Sequence, residues 1–225
     1  MINMNILSIC DGMSCGQIAL EKTGIEKDNY FASEIDKHAM KVTMENYPNT
    51  KQMGDVNNYK EWDLPKIDFM MAGTPCQDLS RIKDKKGKGL HGDKSKLFFT
   101  YVKALHRFKP EKFLLENVMM NQESEDIITA ILGVEPVMIN SANFSAQDRK
   151  RMYWTNIEFD KEMPLNNDVL KDIMEHEVDD KYYYHETPFH YMGENKRVIA
   201  NLDRNLTEMT SRVYTVLLSV MFKSR

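Results

Sequence analysis

Short apolar runs alternate along this chain with longer stretches whose apolar positions recur every three or four residues. The runs Asn5-Ile6-Leu7-Ser8-Ile9, Phe31-Ala32-Ser33, Ile67-Asp68-Phe69-Met70-Met71-Ala72, Lys112-Phe113-Leu114-Leu115-Glu116-Asn117-Val118, Pro136-Val137-Met138-Ile139 and Met152-Tyr153-Trp154-Thr155-Asn156-Ile157 have the length and makeup of strands. Met53-Gly54-Asp55-Val56 reads as a further strand tip. Between them, residues 17–22 predict a helix closed by Gly24. A second helix runs from the N-cap Asp36 to Tyr47, with Met40, Val42 and Met44 among its apolar positions, and stops at Pro48. A third begins at Asp93, passes through Leu97, Phe98, Tyr101, Val102 and Leu105, and ends before Pro110. A fourth runs from Ser124 to Leu132 and stops at Gly133. This alternation predicts an α/β fold with a mostly parallel sheet.

The chemistry collects where these strands end. Gly73-Thr74-Pro75-Cys76-Gln77-Asp78-Leu79-Ser80 leaves a buried strand through a corner that glycine frees and proline fixes. Cys76 is either one more buried thiol or a nucleophile at the carboxyl edge of the sheet, where open α/β folds bind ligands. Cys10-Asp11-Gly12-Met13-Ser14-Cys15-Gly16 follows the first strand and precedes the first helix, the arrangement that accepts nucleotide-like ligands. Glu34 lies about 20 residues beyond those glycines, the spacing of an acid that binds ribose hydroxyls; an exposed surface acid is the alternative. Asp55 gives a further strand-tip carboxylate, and Glu116 ends a strand as the Cys76 strand ends. Tips of neighbouring parallel strands lie about 5 Å apart, so Glu116 and Cys76 are expected to face one small ligand. Arg149 and Arg151, at i and i+2 in extended chain, are expected to point the same way and to suit paired anion or carbonyl contacts.

Composition narrows the setting. With 225 residues, 42% of them hydrophobic, the chain suffices for one domain plus an appendage. The three cysteines, Cys10, Cys15 and Cys76, lack metal-type spacing and point to free thiols in a reducing cytoplasm. No apolar run of membrane-spanning length occurs, and the N-terminus lacks the basic region of a secretory signal. The formal net charge of −4 is unevenly spread: Arg81 to Lys96 carries seven Lys/Arg against two Asp, and Glu158 to Glu186 carries three Lys against ten Asp/Glu. The basic run, with Gly87, Gly89 and Gly92, reads as a loop over the candidate nucleophile that contacts phosphates, and otherwise as solvated surface.

Taken in order, Asp11-Gly12…Gly16, Glu34, Gly54-Asp55-Val56, Pro75-Cys76-Gln77, Glu116-Asn117-Val118 and Gln147-x-Arg149-x-Arg151 resemble the motifs of the DNA (cytosine-5) methyltransferases. The resemblance covers about residues 4 to 185, and Leu170 to Ile173 with Val178 to Tyr183 is similar to the segment after the last catalytic motif in bacterial and phage members. It implies a Rossmann-like methyltransferase fold with helices on both faces. Residues 1–160 would form the domain that binds S-adenosylmethionine, and 161–225 an appendage or shortened target-recognition region. It also implies a cytoplasmic setting in a bacterial or phage-infected cell, a restriction-modification context, cytosine-containing DNA as substrate and S-adenosylhomocysteine as product, without a metal. By the same resemblance Cys76 is the thiolate that adds to cytosine carbon-6, and Glu116 binds ring N3 and the amino group. Arg151 donates to O2, with Arg149 beside it. Asp11, Gly12, Gly16, Glu34, Asp55, Val56 and Pro75 map onto the methyl-donor site, and Ser80, Arg81, Lys83, Lys85, Lys86, Lys88 and Gln147 onto the DNA contacts.

Two departures from the family pattern stand out. Cys10 occupies the place of a phenylalanine that packs on the donor adenine, which predicts weakened donor binding. The usual target-recognition domain, Gln-Gly-Phe-Pro-like segment and closing helix are not recognisable, so a second subunit supplying recognition is one expectation. An idle remnant that binds the donor or a partner protein, and a methyltransferase of RNA cytosine, are the alternatives. Intact Cys76, Glu116 and Arg151 favour the enzyme over the remnant.

Overall fold

A computed structural model describes residues 4–75, 96–159 and 162–168. Its strands are β1 (Met4–Ile9), β2 (Lys27–Ser33), β3 (Lys51–Gln52), β4 (Phe69–Gly73), β5 (Lys112–Val118), β6 (Val137–Asn140) and β7 (Lys150–Thr155). They form one seven-stranded sheet in the order β3-β2-β1-β4-β5-β7-β6. β7 is antiparallel to both β5 and β6, and the remaining pairs are parallel. The helices are α1 (Cys15–Thr23), α2 (Lys37–Asn46), α3 (Lys96–Phe108) and α4 (Gln122–Leu132), with short 3-10 turns at Val56–Glu61 and Ser141–Asn143. The mostly parallel α/β sheet matches the sequence reading.

The central strands are apolar throughout because both faces are covered. Leu7, Ile9, Met70, Ala72, Leu115 and Trp154 point to one side, where Phe98, Tyr101 and Ala104 of α3 and Ile128 of α4 pack. Ile6, Phe69, Met71, Leu114 and Tyr153 point to the other, against Ala19 and Leu20 of α1. Period-two alternation thus divides one sheet between two cores.

Local signals act much as read. Gly24 and Gly133 close α1 and α4 in the left-handed conformation. The Asp36 carboxylate accepts from the backbone N–H groups of His38 and Ala39, and such a cap stabilises by about 1 kcal/mol. Other readings need correction. In α2, Thr43 is buried while Val42 and Met44 are exposed, because Thr43 is the residue that meets the β1–α1 turn, its hydroxyl donating to the Gly12 carbonyl (3.3 Å). α4 begins two residues before Ser124, because Asn121 caps it through a bond from the Ser124 N–H. Asp55 does not end a strand: β3 stops at Gln52, and Asp55 caps the following 3-10 turn through the Asn57 N–H. The expected helix start at Asp93 lies outside the described residues.

Among the described residues no helix is long and apolar enough to cross a membrane.

Candidate active site

The turn after β1 is built around a half-buried acid. Asp11 accepts from the Tyr30 hydroxyl at Oδ1 (2.7 Å) and from the Ser14 hydroxyl at Oδ2, while its own N–H donates to the Ser33 carbonyl (3.1 Å). Burial raises the Asp11 carboxyl above the usual range, against hydrogen bonds from Ser14, Ser8 and Tyr30 that lower it. Because the Ser14 hydroxyl is turned to Asp11, no side chain caps α1. Within its first turn the Gln17 N–H donates to the Ser14 carbonyl (2.9 Å). Gly12, at φ +60°, lets the chain double back, and its N–H donates to Glu34 Oε2 (2.8 Å). Glu34 Oε1 accepts from the N–H groups of Ile35 (2.8 Å) and Asp36 (2.9 Å). An ionised carboxylate has about four acceptor sites, so Glu34 keeps roughly one for a ligand hydroxyl.

Gly16 is closely packed against the neighbouring strands. A Cβ there would lie 2.4 Å from Met71 Sδ and 2.9 Å from Tyr30 Oη. The glycine is there for close packing of α1 on β4 and β2. Cys10 lines the same edge at φ +55°. Burial pushes its thiol up to about 12, and the carboxylates of Glu34, Asp55 and Asp11 add to the rise. Cys10 is therefore a neutral thiol among acids and no nucleophile at neutral pH.

The second half of the site lies where β4, β5 and β7 meet. Gly73, three residues before Cys76, pairs directly with Glu116 on β5, as the strand-tip argument expected. Asn117, 1% exposed, ties the two tips together: its Nδ2 donates to Thr74 Oγ1 (3.0 Å) and more weakly to the Thr74 carbonyl (3.4 Å). Its Oδ1 accepts from the Val118 N–H (2.8 Å). The corner that carries Cys76 is thus fastened to the strand that carries Glu116.

On β7, Arg151 stands opposite Val118 and Tyr153 stands opposite Glu116. Arg151 is then the diagonal neighbour of Glu116 on the same face, within reach of a long side chain. Arg151 Nε meets Glu116 Oε1 at 3.0 Å, with both side chains largely buried. Burial raises the Glu116 carboxyl, while Arg151 and then Arg149 pull it back down. A carboxyl shifted upward by burial favours its protonated form, which can donate to a ring nitrogen.

Arg149 lies just before β7, and its Nε is buried without a hydrogen-bond partner. Gln147 departs from expectation. It is 1% exposed rather than at the surface, because its loop folds inward with its N–H on Ser145 Oγ (3.3 Å), and neither end of its amide has a partner. Of the other expected site residues, Val56 is buried, Pro75 is half-buried, and Asp55 Oδ1 accepts from the Asn57 N–H and side-chain amide (both 2.9 Å). Cys76, Ser80, Arg81, Lys83, Lys85, Lys86 and Lys88 lie outside the described residues, as does everything from residue 169 onward. No group of three or more His, Cys, Asp or Glu that could hold a metal ion occurs among the described residues. Sequence reasoning missed Tyr30, and it placed Thr74 in the corner without its bond to Asn117.

The family profile described as C-5 cytosine-specific DNA methylase matches residues 4–217. The chain belongs to that family. Among curated relatives, the orphan methyltransferase M.SPRI of Bacillus phage SPR is 26% identical over 81% of this chain and 52% of its own length. The type II methyltransferase M.HgiCI of Herpetosiphon aurantiacus is 34% identical over 65% of this chain and 36% of its own length. The chain spans about half or less of the length of these relatives. A crystal structure described as a DNA modification methyltransferase encoded within an E. coli prophage shares the fold. Its TM-score is 0.58 at 19% identity, covering 76% of this chain and 54% of the other. The Glu116-Asn117-Val118 run lies at the tip of β5, where Glu116 pairs with Arg151 and Asn117 donates to Thr74.

Proposed function

We propose that this chain transfers a methyl group from S-adenosylmethionine to carbon-5 of a flipped-out cytosine in DNA through a covalent Cys76 adduct. One observation carries the proposal: the Glu116–Arg151 pair faces Gly73, and Asn117 fastens that tip to the corner leading to Cys76. The donor fits the residues of the β1–α1 turn. Glu34 retains acceptor capacity for a ribose hydroxyl, the uncapped start of α1 suits a carboxylate, and Glu34, Asp55 and Asp11 make a field that favours a sulfonium cation. When bound, S-adenosylmethionine supplies an electrophilic methyl group.

This chain's residues activate the base. Cys76, as thiolate, adds to carbon-6, while Glu116 protonates N3 and accepts from the exocyclic amine. The ring then becomes an enamine that is nucleophilic at carbon-5. Arg151, with Arg149 beside it, stabilises negative charge on O2. Carbon-5 would take the methyl group as its bond to sulfur breaks, with S-adenosylhomocysteine as the leaving group. Loss of the carbon-5 proton to water then breaks the bond between carbon-6 and sulfur, frees the Cys76 thiolate, and returns the N3 proton to Glu116. The base must leave the duplex at a cost of a few kcal/mol, which phosphate contacts from Ser80, Arg81, Lys83, Lys85, Lys86 and Lys88 offset.

Incubation with S-adenosylmethionine and DNA carrying 5-fluorocytosine, duplex and single-stranded, tests the reading. A denaturation-resistant adduct is expected, because fluorine cannot leave as the proton does, and Cys76→Ser should abolish it. An adduct of equal yield in Cys76→Ser refutes the nucleophile, and transfer to RNA in preference to DNA refutes the substrate.

A further inference from the structure

The connection from β6 to β7, residues 140–149, is closed on itself by side chains outside the motifs that carry the family resemblance. Asn140 Oδ1 accepts from the N–H of Arg149 (2.9 Å) and of Ala142 (3.2 Å), and its Nδ2 donates to Asp148 Oδ1 (2.9 Å). Ser141, fully buried, donates to the Arg149 carbonyl from both its N–H (3.1 Å) and its hydroxyl (3.2 Å). The Ser141 carbonyl accepts from the N–H groups of Phe144 (2.9 Å) and Ser145 (3.0 Å). An asparagine that only caps a 3-10 turn needs the single bond to Ala142. The bonds to Asp148 and Arg149, eight and nine residues away, serve something else.

That something is the aim of two arginines. The N–H and the carbonyl of Arg149 are both held by the adjacent pair Asn140 and Ser141, while the Arg149 Nε has no hydrogen-bond partner. The direction of this guanidinium therefore depends on its main chain. Two residues on, Arg151 lies within β7 and reaches Glu116. A shift of the Arg149 main chain would pass directly into the first residues of β7, because only Lys150 stands between.

We infer that Asn140, assisted by Ser141, is a positioning residue that holds the Arg149 main chain so that Arg149 and Arg151 face Glu116 before a base enters. The inference rests on the proposed reading of Glu116 and Arg151 as the base-binding pair. It adds a residue that touches neither substrate nor donor.

The test uses the full chain and a swap of donor and acceptor. Asn140→Ala should lower kcat for methyl transfer roughly ten- to a hundredfold, the range for displaced catalytic groups, and leave donor affinity by calorimetry unchanged. Asn140→Asp alone sets two carboxylates against each other and should lose rate as well. Adding Asp148→Asn restores the pairing with its polarity reversed, and should recover most of the rate. A second readout needs no activity: by NMR, the Arg151 Nε–H should resist exchange in the wild type and the swap, and exchange faster in Asn140→Ala. Unchanged Arg151 protection in Asn140→Ala, or a folded swap variant in which it stays lost, overturns the inference. A wild-type chain that transfers no methyl group would instead refute the functional proposal, with the exchange comparison still deciding the role of Asn140.

Discussion

Replacing Gly16 by alanine sets two opposed effects against each other. Alanine is favoured over glycine in a helix interior by about 1 kcal/mol, and by less at the second residue of α1. Against this, the new methyl group would lie 2.4 Å from Met71 Sδ and 2.9 Å from Tyr30 Oη. Met71 is unbranched and adaptable, but it is 2% exposed within the core beneath α1, so its thioether has little room. Overpacking of this kind costs about 1–3 kcal/mol. Tyr30 meets a second penalty, because its hydroxyl donates to the half-buried Asp11 carboxylate, a bond worth about 1.5–3 kcal/mol if lost. The crowding wins, and Gly16→Ala should destabilise the chain by about 2 kcal/mol, read from the urea midpoint at unchanged slope. It should also weaken donor binding by calorimetry, since Asp11 anchors the Gly12 turn. Adding Tyr30→Phe should cost less in the Gly16→Ala background than in the wild type, because the crowded oxygen is already strained. A Gly16→Ala chain as stable as the wild type, with donor affinity intact, would show that the helix moves outward at no cost.

Thr74→Val removes the main acceptor for the buried Asn117 amide without changing side-chain shape; it should cost about 1–3 kcal/mol and slow adduct formation, with Thr74→Ser restoring both. Equal adduct rates in Val and Ser variants would detach this latch from the nucleophile corner. For Glu116, burial outweighs the arginines and raises the folded pKa. Its stabilising contribution is therefore full below the unfolded value, about 4.3, and is lost as pH rises through the raised folded value. Thermal melts of wild type and Glu116→Gln should accordingly diverge in favour of the wild type as pH falls from about 8 to about 4. The opposite drift would mean that the arginines dominate.

The sheet was legible because its strands are buried on both faces and read as continuous apolar runs bounded by Gly, Pro and acids. The pairing of Gly73 with Glu116 followed from two adjacent parallel tips. The reversed direction of β7 was not legible, since hydrophobic period carries no information on strand polarity. Nor was the burial of Thr43, where one hydroxyl bond to the Gly12 carbonyl outweighs the apolar character of Val42 and Met44. Glycines at positions 12 and 16 looked alike in sequence, yet one turns the chain and the other admits a neighbouring side chain. Asp11, expected at the donor site, also accepts from Tyr30 and Ser14 within the turn, which its sequence position did not announce. Such distinctions depend on what lies across the fold, in Met71 and Tyr30, and no local pattern encodes them.

The strand order also constrains how the chain is made. Among the described residues β6 pairs in the sheet with β7 alone, yet it precedes β7 in the chain. During synthesis from the N-terminus β6 has no ladder to join until residues beyond Thr155 have left the ribosome, whereas β1, β2, β4 and β5 have already found one another. The strands around the Asp11 and Glu34 turn are thus available well before β7 brings Arg151 to Glu116. A ribosome paused after β5 has emerged and before β7 has would hold a chain with Glu116 uncovered at an unfinished sheet margin. An arrest at that point should be seen as capture by chaperones of the nascent strand edge, relieved once β7 has been translated.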